Sequence, residues 1–338
     1  MSNLSTSTII SVVLTTTEPW INPGNPFYEK YKNYGVIWPV APALLAILTC
    51  VIIGFWCNGN IVVATWKTRS LHGTCNYLLA ISAAADSIHG LSQFIQAFIF
   101  FTGINFIPLS LCVYLQTFSL SGLNFGIVLI LLIGIDRVYS VMFPGRHRTM
   151  NSNHYMILMM TICMAYNIFL LYFTYDFALK NPKEPSGCSI VDAMPSTPGN
   201  IWFYLCIVLN ILTVLCYVIV WFAIKFKSGV SNSTKRVFKS LSLVTASVFF
   251  GWTINAICRL TLTFLEVQLE TFWFAGMYSG IFVNIACGLN YFILYATSNE
   301  YSYVFKLYLN CVSEKLLGRP VVIDRRISIQ PSIVSTRI

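Results

Sequence analysis

The chain alternates between long stretches without a charged residue and short polar connections. No Asp, Glu, Lys or Arg occurs between Lys32 and Lys67, a run of 34 residues. Comparable runs separate Arg148 from Asp176 (27 residues), Asp192 from Lys225 (32), Lys239 from Arg259 (19) and Glu270 from Glu300 (29). Between Arg69 and Asp136 lie 66 residues with a single charge, Asp86. A membrane helix needs about 20 apolar residues, so this stretch holds two spans and each of the others holds one. The pattern predicts an all-α membrane protein, a seven-transmembrane helix bundle over residues 37–299. Segment 1–36 precedes it. After span 7, Tyr301, Val304, Phe305 and Tyr308 fall at i, i+3, i+4 and i+7. That spacing predicts a short amphipathic eighth helix over 300–310, ahead of a tail at 311–338.

Composition supports this division and removes other classes. Only 10% of the residues are charged and 56% are hydrophobic. Soluble domains carry roughly 25% charged residues, so a soluble enzyme, a nucleic-acid binder and a disordered chain are all excluded. The charges also orient the bundle. Sixteen of the 21 Lys and Arg residues lie after spans 1, 3 and 5 and in the tail. The other five share the opposite face with seven acids. The positive-inside rule then expects an extracellular N-terminus and a cytoplasmic tail. The net charge of +9 thus reflects topology and suits anionic membrane lipid headgroups. Residues 1–17 lack a basic n-region, so no cleaved signal peptide is expected. Asn3-Leu4-Ser5 is a glycosylation sequon, and Cys311 beyond the eighth helix is a palmitoylation candidate.

Most of the eleven cysteines lie within spans, where the thiol packs as a small apolar group. Cys112 at the start of span 3 and Cys188 between spans 4 and 5 instead face the oxidising side. A disulfide tethering that connection over the bundle is expected. Polar groups inside the spans are costly and usually have a task. Asp86 is the one acid deep in a span, with Asn60 and Asn290 as candidate partners. Such a network either pins helix packing or forms an ion or proton site that switches between two packings. Asp136-Arg137 stands 24–25 residues after Cys112, so one helix of about 37 Å joins the two features.

These landmarks resemble those of a rhodopsin-like G-protein-coupled receptor. Gly59-Asn60, Leu79-Ala80 leading to Asp86, Cys112, Asp136-Arg137 with Pro144, Cys188, Trp252 and Asn290 occur in that family's order. Three stretches resemble nematode chemoreceptors of serpentine receptor class SX: Leu71 to Leu79, Gly134-Ile135-Asp136-Arg137, and Asn290 to Tyr295 before Glu300-Tyr301. The resemblance implies a plasma-membrane receptor without enzymatic chemistry. Asn60, Asp86, Trp252 and Asn290 would form its switch network. Asp136, Arg137, Lys235 and Arg236 would couple it to a heterotrimeric G protein. The chain departs from the pattern in span 7, where Tyr291 replaces a proline and Leu294 a tyrosine, and in span 6, where Ile254 replaces a proline. Gly122 and Gly126 stand where polar side chains are expected on span 3.

The ligand is constrained mainly by what is missing. Ser119 occupies the position where amine receptors carry an Asp, and span 7 has no lysine for a retinal Schiff base. No cofactor or metal is expected. Trp252, Asn255 and Arg259 share one helix face at i, i+3 and i+7. Gln116, Ser119, Gln93, Gln96 and Asn284 could line the same cavity or simply bond between helices. Arg259 needs an anion, either Glu266 or a ligand carboxylate. His89 is expected to be packed or paired rather than a metal ligand. A mostly apolar pocket with a few polar handles suits a small organic odorant or pheromone-like molecule. The rival readings are a transporter or channel and a receptor-like protein that couples poorly. Against the first, the chain has no internal repeat, and Asp86 is its only deep acid.

Overall fold

The computed structural model describes residues 24–226 and 232–317. Span 1 is Ala41–Lys67, span 2 Thr74–Phe101, span 3 Leu109–Met142 and span 4 Ser152–Lys180. Span 5 is Thr197–Phe226, span 6 Asn232–Phe264 and span 7 Leu269–Thr297. All seven are long and apolar enough to cross a membrane. Pro198 falls in the first turn of span 5, where its missing N–H is no loss. Span 3 is the most enclosed and forms the axis of the bundle, whereas spans 4 and 5 bury little of their surface. Exposed Ile168, Tyr172, Ile211 and Leu215 belong to faces that suit lipid.

Glycines set the closest helix approaches. A Cβ on Gly122 would sit 2.7 Å from the Ala85 carbonyl oxygen and from the His89 nitrogen, so spans 2 and 3 meet backbone to backbone. Gly251 performs the same service between spans 6 and 7, where a Cβ would lie 2.8 Å from Ala286 Cβ. Gly122, which replaces a polar side chain on span 3, therefore has a packing reason.

The end of the bundle that carries the disulfide is capped by more of the chain than the hydropathy pattern suggested. A short helix, Pro26–Tyr31, is capped by Asn25, whose side chain accepts from the Phe27 N–H. Phe27 and Tyr31 are buried against Phe106, Trp273 and Phe274, so the last third of the 1–36 segment is folded onto the bundle. Lys30 pairs with Glu270 at 2.8 Å, which raises the lysine pKa, and the Tyr31 hydroxyl donates to the same carboxylate at 2.8 Å. Asn105, at a φ of 58° that asparagine tolerates, donates to the carbonyls of Tyr31 (2.9 Å) and Gly35 (2.7 Å). Asn105→Ala should therefore loosen this cap by about 1–3 kcal/mol. Faster protease cleavage within 24–36 of the full-length receptor checks it, and wild-type cleavage kinetics would refute the tether.

At the opposite end, the helix after span 7 is longer than its amphipathic signature indicated, running from Asn299 to Leu317. No Gly or Pro interrupts the sequence before Gly318 and Pro320. Its buried face is the expected one: Tyr301, Val304 and Phe305 are enclosed. Phe305 stacks on Tyr291 at 4.3 Å, and the Tyr301 hydroxyl meets Thr65 Oγ1 at 2.9 Å. Tyr291, standing where a proline was expected, thus holds this helix against span 7.

Candidate functional site

The disulfide end contains a cavity of about 200 Å³ between spans 2, 6 and 7 and the connection that follows span 4. That connection is fixed to span 3 by the Cys112–Cys188 disulfide and by a two-stranded ribbon. In it, β1 (Ile107–Pro108) pairs antiparallel with β2 (Pro185–Ser186). Trp252, Asn255 and Arg259 line the cavity as their shared helix face predicts, together with Asn284, Gln93 and Gln96. Trp252 packs against Trp202 at 5.6 Å, and the Arg259 guanidinium lies 4.9 Å from the centre of the Phe203 ring. Glu266 sits in the exposed turn after span 6. His89, expected to be packed or paired, is buried and also borders the cavity.

Two assignments need correction. Gln116 and Ser119 do not line the cavity. The Gln116 amide donates to the Cys188 carbonyl at 2.8 Å, so it holds the connection, and Ser119 is fully enclosed. The physical reason is the path of residues 186–196. Ile190 and Met194 from that connection, with Trp202, pack onto span 3, of which Leu109 alone borders the cavity among the described residues. A loop's path carries no periodicity from which this could be read. The same connection brings two acids to the wall. Asp192 accepts from the Ser189 N–H at 3.1 Å and from the Trp273 side chain, while burial pushes its carboxyl pKa up. Glu184, which the sequence reading passed over, has an enclosed Oε2 with no hydrogen-bond partner among the described residues.

In the middle of the bundle the Asn290 amide donates to Asp86 at 3.4 Å, and the Cys287 thiol stands beside the same carboxylate. Gly126 leaves room there, since a Cβ at that position would be 3.3 Å from Asp86 Oδ1. Asn60 is not part of this group. Its amide donates to the Trp56 carbonyl at 2.7 Å on a partly exposed face. The inward phase of span 1 runs through Gly54, Asn58, Ile61 and Thr65, and Asn60 falls outside it. Asn58 is 2% exposed, with its Oδ1 unpartnered among the described residues. The buried small residues around it were the available signal. Trp252 likewise belongs to the cavity wall rather than to the Asp86 group.

At the Arg137 end, Asp136 is wholly buried and gathers three donors. Arg137 forms an ion pair with it, His147 Nε2 lies 3.0 Å from Oδ1, and Thr74 Oγ1 donates at 3.2 Å. Thr74 and His147 were not singled out from the sequence, although Thr74 lies in the Leu71 to Leu79 stretch. His147 is placed by a short helix, Pro144–Thr149, that Pro144 starts immediately after span 3. Arg137, His147 and Thr74 border a second cavity of about 380 Å³ with Ser240, Ser298 and Glu300. Ser240 and Thr297 join spans 6 and 7 there through a 2.9 Å hydroxyl pair. Asn3 lies outside the described residues, as do the side chains of Lys235, Arg236 and Cys311.

A seven-span bundle with a disulfide at one end of span 3 and Asp-Arg at the other narrows the family, and sequence comparison decides it. The family model of the serpentine type 7TM GPCR chemoreceptor Srsx matches residues 51–309. The chain belongs to that family. Among curated proteins none matches the chain. The Srsx match covers spans 2 to 7 and most of span 1, and therefore every paired group described above except the cap over residues 25–36. Srsx proteins are chemoreceptors, a non-enzyme family. For an Srsx receptor, the structure adds the Asp136–His147–Thr74 arrangement and the loop-lined cavity.

Proposed function

We propose that this Srsx chemoreceptor binds a small organic ligand in the cavity beside Trp252 and signals to a heterotrimeric G protein from the Arg137 end. The disulfide end then faces outward and the tail lies in the cytoplasm at the plasma membrane, which the concentration of sixteen basic residues on that side supports. The observation that carries the reading is the pair of cavities at opposite ends of one continuous helix, span 3. A ligand acts by favouring one packing of the bundle over another, and only a difference in affinity between packings can do so. Asp86, Asn290 and Cys287 lie between the two cavities and are the polar contacts such a repacking would exchange. Lys235 and Arg236, Arg137 and the second cavity supply the coupling face in this reading.

The test is expression of the full chain with a panel of Gα subunits during a screen of volatile and small-metabolite libraries. The expected result is a ligand-dependent response that requires one Gα subunit. Ligand-evoked current in vesicles that lack G protein would overturn the reading in favour of a channel or transporter.

A further inference from the structure

The cavity wall is rich in hydrogen-bond acceptors. Four side-chain amides line it, and each commits one N–H of its NH₂ group to the protein. Gln93 Nε2 donates to Ser92 Oγ at 3.1 Å and Gln96 Nε2 to Met277 Sδ at 3.0 Å. Asn255 Nδ2 donates to Ser279 Oγ at 2.9 Å and Asn284 Nδ2 to the Gly280 carbonyl at 2.9 Å. No donor from the described residues reaches the four carbonyl oxygens. An amide anchored through one N–H still offers its carbonyl, so each of these positions presents an acceptor beside one remaining N–H.

Glu184 extends the same pattern and gives it a sign. Its backbone is fixed on both sides, the N–H donating to the Asn181 carbonyl (3.3 Å) and the carbonyl accepting from the Leu109 N–H (2.8 Å). The side chain borders the cavity and leaves Oε2 enclosed and unpartnered among the described residues. An enclosed carboxylate oxygen without a donor is costly, and a turn of the side chain toward an occupant that supplies one removes that cost. The second acid on the wall, Asp192, is already engaged by Ser189 and Trp273. The one guanidinium, Arg259, is stacked against Phe203. Trp202, Trp252 and Trp273 add aromatic faces, which attract a cation held against them.

We infer that the occupant of this cavity is a small protonated amine with an apolar body, and that Glu184 is its counter-ion. The inference rests on the reading of the cavity as the ligand site. An amine receptor without an acid on span 3 looked incomplete because Ser119 cannot pair with an ammonium group. Here the carboxylate comes from the disulfide-bound connection instead. The small cavity, below the roughly 300 Å³ at which drug-sized sites begin, limits the ligand to a compact skeleton.

The test uses three probes on one carbon skeleton: 2-phenylethylamine, 2-phenylethanol and phenylacetate. Full-length receptor in lipid nanodiscs is titrated with each, and binding is read from the shift in melting temperature. The amine should act at a concentration at least tenfold below the alcohol, with phenylacetate inactive. Glu184→Gln, which preserves shape, should remove the tenfold preference of the amine over the alcohol. Asn284→Leu, which deletes one acceptor away from the loop, should weaken the amine at least threefold. Equal action of the three probes, no shift with any of them at 1 mM, or an amine preference that survives Glu184→Gln would overturn the inference. So would preferential binding of phenylacetate that Arg259→Gln abolishes. Binding in nanodiscs needs no G protein, so a receptor that binds the amine but engages no Gα subunit refutes the signalling reading alone.

Discussion

Gly122→Val should leave almost no folded receptor at the cell surface. Even the first carbon of the new side chain would lie 2.7 Å from Ala85 O, His89 N and Ile88 Cγ2. Carbon contacts relax at about 3.5–4.0 Å. Two of those three atoms are backbone of span 2, so no rotamer change relieves the overlap and the helices must separate. Ordinary overpacking costs about 1–3 kcal/mol, and a clash with rigid backbone belongs above that range. The better helix propensity of a side chain over glycine returns at most about 1 kcal/mol, so the clash wins. Gly122→Ala should show the same defect in milder form. Gly59→Ala is the control, because nothing lies within 4 Å of its Cβ position. Fluorescence-detected size-exclusion chromatography reads the outcome. A monodisperse Gly122→Val peak at the wild-type level would disprove the backbone contact.

Arg137→Ala should abolish ligand-dependent G-protein activation, by more than tenfold, with surface expression within about twofold of wild type. Removing one partner of a buried ion pair usually costs about 3–5 kcal/mol because the other charge is stranded. Asp136 escapes that fate in part, since His147 and Thr74 still reach it. Fold and signalling should therefore separate in this variant. Asp136→Ala should behave differently, because it strands Arg137 and unties Thr74 and His147 at once. Nucleotide exchange on the Gα subunit, normalised to surface receptor, makes the measurement. Full exchange activity with Arg137→Ala would remove Arg137 from the coupling role.

The seven spans were legible because a single charge in hydrocarbon is expensive enough to leave long gaps in the sequence. The disulfide could be read for a similar reason: only two cysteines lay at or beyond the ends of the spans expected to face the oxidising side. Residues on one helix face also transferred well, as Trp252, Asn255 and Arg259 show. Asn60 failed where these succeeded. A hydrophobic span surrounded by lipid and protein has little contrast between its faces, so the phase of span 1 was hidden and Asn58 was overlooked. Gln116 and Ser119 failed for another reason. They do face inward, but residues of the connection after span 4 pack onto span 3, of which Leu109 alone borders the cavity among the described residues. Glu184 was missed by the same mechanism in reverse, since a loop residue acquired a wall position that no spacing encodes. The cap formed by residues 25–36 depends on a few aromatic contacts and on Asn105, a signal too sparse to stand out in an apolar chain.

The fastenings between spans 6 and 7 have a mechanical consequence. The two helices are joined at three heights: Asn255 to Ser279, Gly251 against Ala286, and Ser240 to Thr297. Neither contains a proline to act as an internal hinge, and span 6 packs far more extensively on span 7 than on span 5. If a ligand repacks the bundle as proposed, spans 6 and 7 should move as one unit that pivots where Gly251 brings the backbones together, against spans 2 and 3, which are locked at Gly122. A pair of distance probes placed on spans 6 and 7 would register almost nothing during activation, whereas a pair on spans 3 and 6 would register the full stroke.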